Sequence, residues 1–504
     1  MQPQVAVIDY GSQYSQLIVR RVRELGFFAK LFLPAAIREI GRPAAVILSG
    51  GPRSVSDAGA PDVDLDFLVG LEVPVLGVCY GMQLLNKRFG GTVKPGSTRE
   101  YGPAALDIRD ADVLFRGVTN QSIVWMSHSD TCHDLPAGTR LLALNPQGKP
   151  VALRWNERFL GIQFHPEVTH SVEGTQILRN FLSLITEQPR FSVEAFKREL
   201  IEGIHRQAAG RTVVCGVSGG VDSTVLAKLL HDAGIKLHAI FVDTGLLRKN
   251  EAAFVQDGFR RLGIQLDTVD ASEQFLGALK GETDPEKKRR IIGNLFLDVF
   301  WAHAGTVDLF AQGTLYPDVI ESATSGSDAS RIKTHHNRVD RVLELQRQGK
   351  VMEPLAELFK DEVRALGASL GIPADMLGRH PFPGPGLSVR VPGEVTREKL
   401  DILREADAIY IDTLRATGWY DKVWQACTTI LPCKTVGVKG DERAYDYPVV
   451  LRAVISEDAM TADWVRIPHE ILAQISHKIL NQVKHVNRVL YDISTKPPAS
   501  IEWE

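Results

Sequence analysis

Residues 211–224 read RTVVCGVSGGVDST, and VLAKLLHDAG follows. The apolar run TVVCGV is strand-like, STVLAKLLHDAG is helix-like, and Ser218-Gly219-Gly220 lies between them. A strand, a glycine turn and a helix make the opening unit of a doubly wound α/β sheet. The turn is suited to an anion. Successive N–H groups of Ser218, Gly219 and Gly220 can form a nest at the helix N-terminus, with Val221 and the hydroxyls of Ser218 and Ser223 beside it. Yet the common phosphate loop ends in Lys followed by Ser or Thr. This one has no lysine and carries Asp222 near its end. A carboxylate meets phosphate at low cost only through a hard cation, and Mg²⁺ prefers such oxygens. Taken alone, the Gly-Gly pair fits equally well a turn that binds nothing.

Working outward, KLHAIFVDTG (236–245) and IQLDTVD (264–270) continue the strand–helix alternation. Upstream, VAVIDY, AAVILSG, PVLGVCY and FLGIQF read as buried strands, with SQLIVRRVREL and GMQLLNKRF as helices between them. Such alternation implies a second, mainly parallel sheet covered on both faces. The pattern breaks near residue 190, where TEQPRFSVEAFKREL opens a long amphipathic helix, and again near 381, where HPFPGPGLSVRVPG concentrates proline and glycine. The expected architecture is two doubly wound α/β domains, 1–190 and 191–380, with a smaller α+β domain at 381–504. Residues 323–341, polar and without period, read either as a surface loop or as a lid.

Composition narrows the class of function. A chain of 504 residues is too long for one core. A net charge of −3 argues against a general nucleic-acid binder. Five scattered cysteines form neither a disulfide framework nor a zinc spacing. With no signal segment and no membrane-length apolar run, a cytoplasmic protein is expected.

A second candidate site lies in the first domain. GVCYGMQ (77–83) has the form Gly-x-Cys-x-Gly, a nucleophile on a sharp strand-to-helix turn. Small residues two before and two after let that turn close, and the N–H of Tyr80 then faces a developing oxyanion. The helix N-terminus also favours thiolate. A buried structural cysteine beside two incidental glycines is the bland alternative. Downstream, GIQFHPE places His165 at a strand end with Glu167 two residues on, a base and its orienting carboxylate. SGGP (49–52) offers a further backbone donor.

YGSQY, LSGGP, GVCYGMQ, MSHSD and FHPEV, in this order, resemble a class I glutamine amidotransferase domain over residues 4 to 188. The resemblance implies that Cys79, His165 and Glu167 form a glutamine-hydrolysing triad. It also implies that Gly51 and Tyr80 form the oxyanion hole, and that Gln83 and Ser127 to Asp130, including His128, hold glutamine. Ser129 stands where the family more often has Gly. SGGVDS, with FVDTG after it, is similar to the loop of N-type ATP pyrophosphatases, which implies adenylation of a substrate oxygen with Mg²⁺-bound pyrophosphate as leaving group. IKTHHN, EPLAELFKDEVRALG, RHPFPGPGLSVR and KPPASIEWE resemble the glutamine-hydrolysing GMP synthase family, and the order of motifs matches over nearly the full length. That resemblance implies amination of xanthosine 5′-monophosphate (XMP), with Lys333 over the ATP phosphates, Arg289, Gln425, Lys496, Ile501 and Glu502 at XMP, and a homodimer formed through the C-terminal domain. HHNRVDR replaces the usual Val-Gly-Gly continuation, Ala499 and Ser500 replace Gly and Thr, and Ala444 replaces Thr.

Two rivals differ in what they predict. Another loop enzyme, amidating or thiolating a substrate such as tRNA, would suit a basic surface and a CxxC pair in the loop domain, and the sequence has neither. A non-catalytic descendant would have no chemical need for both an intact triad and an intact loop.

Overall fold

The computed structural model describes residues 2–316, 342, 344–439, 442–456 and 461–504. Lys333 and the stretch 323–341 lie outside the described residues. The chain divides into two compact units, 1–196 and 197–504.

In the first unit five parallel strands lie in the order Ala29–Phe32, Val5–Ile8, Ala45–Leu48, Val75–Val78 and Phe159–Ile162. Pro150–Arg154, Arg140–Leu144 and Asp107–Ile108 extend the sheet antiparallel. Four of the parallel strands are buried at every position. This is why they read as unbroken apolar runs: a strand covered by helices on both faces has no solvent side to alternate with. The chain leaves Val5–Ile8 for one neighbour and returns on its other side at Ala45–Leu48, so the carboxyl ends of these strands flank a topological switch point. The loops that follow Val5–Ile8, Ala45–Leu48, Val75–Val78 and Phe159–Ile162 carry Tyr14, Gly51, Cys79 and His165. A separate hairpin pairs Val93–Ala105 with Ile123–Cys132 and sets Glu100 opposite His128.

The second unit opens with five parallel strands in the order Leu266–Asp270, Lys236–Asp243, Thr212–Val217, Leu309–Ala311 and Val351–Met352. The order reverses at Thr212–Val217, and SGGVDS follows that strand. A second sheet is built on the long strand Glu442–Ile455. It pairs antiparallel with Gln425–Ile430, Thr435–Lys439 and Asp463–Trp464, and parallel with Val486–Tyr491. One apolar core runs through both sheets, from Val214, Ile240 and Phe300 by way of Leu387 to Leu403, Tyr410, Leu451 and Ile475. The proline- and glycine-rich stretch at 380–393 passes through this core, with Leu387, Val389 and Val391 buried. Among the described residues no helix is long and apolar enough to cross a membrane.

Candidate active sites

Cys79 sits between the strand Val75–Val78 and the helix Tyr80–Arg88, with φ +53° and ψ −105°. A non-glycine residue pays for that conformation, so the surroundings must impose it. They do so through the two glycines. A Cβ on Gly77 would stand 2.6 Å from the backbone of Gly81, and a Cβ on Gly81 would stand 2.4 Å from the Leu48 carbonyl oxygen. Turn, helix start and neighbouring strand close on one another only without side chains there. Gly81→Ala is expected to lower the stability of the first unit by roughly 2–4 kcal/mol through this backbone clash. Calorimetry on the variant would show it as a lower first-unit Tm.

The thiol opens on a cavity of about 370 Å³ lined by Gly51, Gln83, Ser127 to Asp130 and His165, among others. Cys79 is 4% exposed. Gln163 Nε2 donates to its Sγ at 3.6 Å. His165 lies beside it, Nδ1 bonded at 2.7 Å to Glu167 Oε1, and its backbone N–H donates to the Trp125 carbonyl at 2.9 Å. Glu167 is wholly buried, and its Oε2 has no hydrogen-bond partner. Burial works against a cation on His165. The Glu167 carboxylate and the Cys79 sulfur outweigh it and hold the imidazolium well above the ordinary histidine range. The arrangement can hold a protonated imidazole beside the Cys79 sulfur in a nearly dry site, with Glu167 fixing which ring nitrogen faces it.

Gln83 Nε2 donates to the Asp130 carbonyl at 2.8 Å and to Gln163 Oε1 at 3.2 Å. Both amide hydrogens are therefore engaged, and its Oε1 remains to accept from a ligand ammonium. His128 Nδ1 donates to the same carbonyl at 3.0 Å, and its Nε2 stands 3.6 Å from Glu100. Burial pushes the His128 pKa down, with Glu100 opposing. Ser129 is exposed at the cavity rim. Tyr80 faces away through its side chain, whose hydroxyl bonds the Pro61 carbonyl. Only its backbone N–H, at the first position of the helix, is available to the site.

The loop after Thr212–Val217 closes around two hydroxyls. Ser218 Oγ and Ser223 Oγ are 3.1 Å apart. The N–H groups of Ser218 and Gly220 turn toward Ser223 Oγ and Ser218 Oγ, at 3.2 and 3.3 Å. Gly219 has φ +75°, which lets consecutive N–H groups converge, and Gly220 caps the helix Val221–Asp232. Asp222 occupies the first turn. Its Oδ2 is 3.4 Å from Lys360 Nζ, and its Oδ1 is buried without a partner.

A third cluster gathers on the C-terminal sheet. Gln425 Nε2 donates to Glu502 Oε1 at 2.5 Å, and Arg390 grips the same carboxylate with two bonds of 3.0 and 2.9 Å. Arg390 is fully buried. Burial opposes its charge, but Glu502 and neighbouring groups hold the guanidinium firmly protonated. Ile501 is buried, and Arg452 Nε donates to its carbonyl at 2.9 Å. Lys496 is joined to Ala462 by backbone bonds of 2.8 and 3.0 Å. A cavity of about 520 Å³ opens here, lined by Tyr491, Asp492, Ser500 and Glu502 among others. Arg289 is apart from this lining, on the helix Pro285–Ala304, with Glu286 at 3.9 Å.

Comparison with known proteins adds three family matches: glutamine amidotransferase class-I over residues 6–185, a phosphoadenosine phosphosulfate reductase domain over 212–294, and the GMP synthase C terminal domain over 412–503. A GMP synthase (glutamine-hydrolyzing) of Chlorobaculum tepidum is 50% identical over 99% of this chain and 99% of its own. Relatives of the same name from Rhodopseudomonas palustris strain HaA2 and Thermosipho melanesiensis are 52% and 50% identical, over 99% of this chain and 95% and 99% of theirs. The chain belongs to the glutamine-hydrolysing GMP synthase family.

Within this GMP synthase family chain, Gln163, Lys360 and Arg390 are among the groups that escaped the sequence reading. Gln163 reads as one polar residue in a strand-like run, yet it joins Cys79 to Gln83. Lys360 starts the helix Lys360–Ser369, far in sequence from the loop whose carboxylate it meets. Arg390 stands between Val389 and Val391, and a lone cation between buried apolar residues was the available signal.

Proposed function

We propose that the chain makes GMP in two joined reactions. Cys79 thiolate attacks the glutamine carboxamide carbon, and the oxyanion is met by the N–H groups of Tyr80 and Gly51. His165 passes its proton to the departing ammonia, and water then releases glutamate from the thioester. In the second unit the XMP O2 attacks the α-phosphorus of ATP, pyrophosphate leaves into the nest of Ser218, Gly219, Gly220 and Ser223, and ammonia displaces AMP at C2. Gln425, Lys496, Ile501 and Glu502 hold XMP, with Arg289 and, over the ATP phosphates, Lys333 completing the set.

The observation that carries this reading is the pairing, in one chain, of a buried Cys–His–Glu assembly with a lysine-free nest whose carboxylate has an orphaned oxygen. That oxygen and the two hydroxyls are hard donors suited to Mg²⁺. When bound, Mg²⁺ would neutralise charge on the leaving pyrophosphate, and Asp222 would be its protein ligand. Among the described residues no cluster of three His, Cys, Asp or Glu offers a metal cage. We further propose a cytoplasmic homodimer associating through residues 381–504, where Val436, Val438 and Tyr445 are exposed on one hairpin.

Purified protein given XMP, ATP, Mg²⁺ and glutamine is expected to yield AMP, pyrophosphate, glutamate and GMP. Absence of GMP with both glutamine and ammonium salt would refute the assignment.

A further inference from the structure

We propose that Arg379 is a positioning residue for the pyrophosphate loop, fixing the Gly219–Gly220 peptide so that the Gly220 N–H stays on the phosphate side. The inference rests on the assignment of this loop to ATP.

Arg379 Nη1 donates to the Gly219 carbonyl oxygen at 2.8 Å. Its Nη2 donates to the Glu251 carboxylate, and its guanidinium lies 5.1 Å from the centre of the Phe254 ring. The side chains of Arg379 and Glu251 are 13% and 4% exposed, so this is an interior contact. In a trans peptide the C=O and N–H point in opposite directions. A carbonyl held by Arg379 therefore forces the N–H of Gly220 to the other side. There it donates to Ser218 Oγ at 3.3 Å, within the ring of hydroxyls assigned to phosphate.

The loop needs this help because of the glycine that lets it form. Gly219 is at φ +75°, and a glycine peptide turns over at little conformational cost. Turned over, it would present a carbonyl dipole to the phosphate in place of an N–H. A donor outside the loop decides between the two orientations, and Arg379 is placed to be that donor. Glu251 in turn restrains the arginine. Its Oε2 is buried without a hydrogen-bond partner, so the hydrogen bonding of this carboxylate depends on Arg379.

The test measures XMP-dependent exchange of labelled pyrophosphate into ATP by the full-length protein. Glutaminase activity and Tm serve as controls of folding. Arg379→Met is expected to raise KM for ATP about tenfold to a hundredfold, the span expected for one hydrogen bond to a charged group. KM for XMP should stay within twofold, a split that general loosening of the unit would not produce. Arg379→Met combined with Glu251→Gln removes the unpaired buried carboxylate. It should recover Tm without recovering KM for ATP, and it carries the same test if the single variant does not fold. In Arg379→Ala, millimolar guanidinium should lower KM for ATP again. A folded variant with KM for ATP within twofold of wild type, or an equal rise in both KM values, overturns the proposal. A wild-type chain without XMP-dependent exchange overturns the adenylation reading instead, so the two failures are distinguishable.

Discussion

Cys79→Ala is expected to reduce glutamine-driven GMP formation at least 10⁴-fold while leaving synthesis from ammonium salt within about twofold of wild type. The first half follows from chemistry. Cys79 supplies the thiol of the cavity lining, and the His165 imidazole beside it is held by Glu167 at 2.7 Å. An alanine leaves no atom to attack the carboxamide and carry the thioester. The second half follows from architecture. Cys79 lies in a compact unit ending at residue 196, and the pyrophosphate loop and the C-terminal sheet lie in another. The substitution removes a single sulfur atom at a position already held by the close approach of Gly77 and Gly81, so the elbow itself should persist. The measurement is GMP produced with each nitrogen source in turn. Loss of both activities in a folded variant would break the two-site reading.

How much of this was legible beforehand depended on whether a contact is local. The elbow, the nest and the strands around them are written in consecutive residues, because a tight β–α turn imposes its glycines within five positions. The eight-stranded sheet was legible as a parallel core, since VAVI, AVIL and VLGV are buried on both faces. The antiparallel extension at 107–154 was not, because its strands alternate irregularly and their register shifts twice. The partners of the site residues were also hidden. Gln163, Lys360, Arg379 and Arg390 reach their targets across 80 to 160 residues of chain. A charged side chain carries no local sign of what it will meet. Lys333 was assigned from resemblance and lies outside the described residues. Arg289, assigned in the same way, stands on a helix surface rather than in the cavity with Glu502.

Asp222→Asn is expected to lower ATP–pyrophosphate exchange and GMP formation about 10³-fold with either nitrogen source, while glutaminase activity persists. The carboxylate sits in the first turn of Val221–Asp232 with Oδ1 buried and unpartnered, and Lys360 at 3.4 Å faces Oδ2. A buried carboxylate oxygen left without a donor is costly for folding and apt for a cation. Asparagine keeps the shape and loses the charge. It gives up a favourable interaction with the helix N-terminus and with Lys360, each worth under about 1 kcal/mol at a partly exposed site. It also relieves the desolvation of a charged oxygen, Oδ1, that has no hydrogen-bond partner. These changes oppose one another, so Tm should move by only a few degrees while catalysis collapses. The neutral side chain should also shift the Mg²⁺ dependence of any residual exchange to higher concentration, because one anionic ligand is gone. Exchange retained within about threefold, at an unaltered Mg²⁺ requirement, would show that Asp222 is a helix-turn acid and not the metal's ligand. Collapse with stable folding would answer why this loop carries an acid where other phosphate loops carry a lysine: the charge it has to balance is a cation that arrives with the nucleotide.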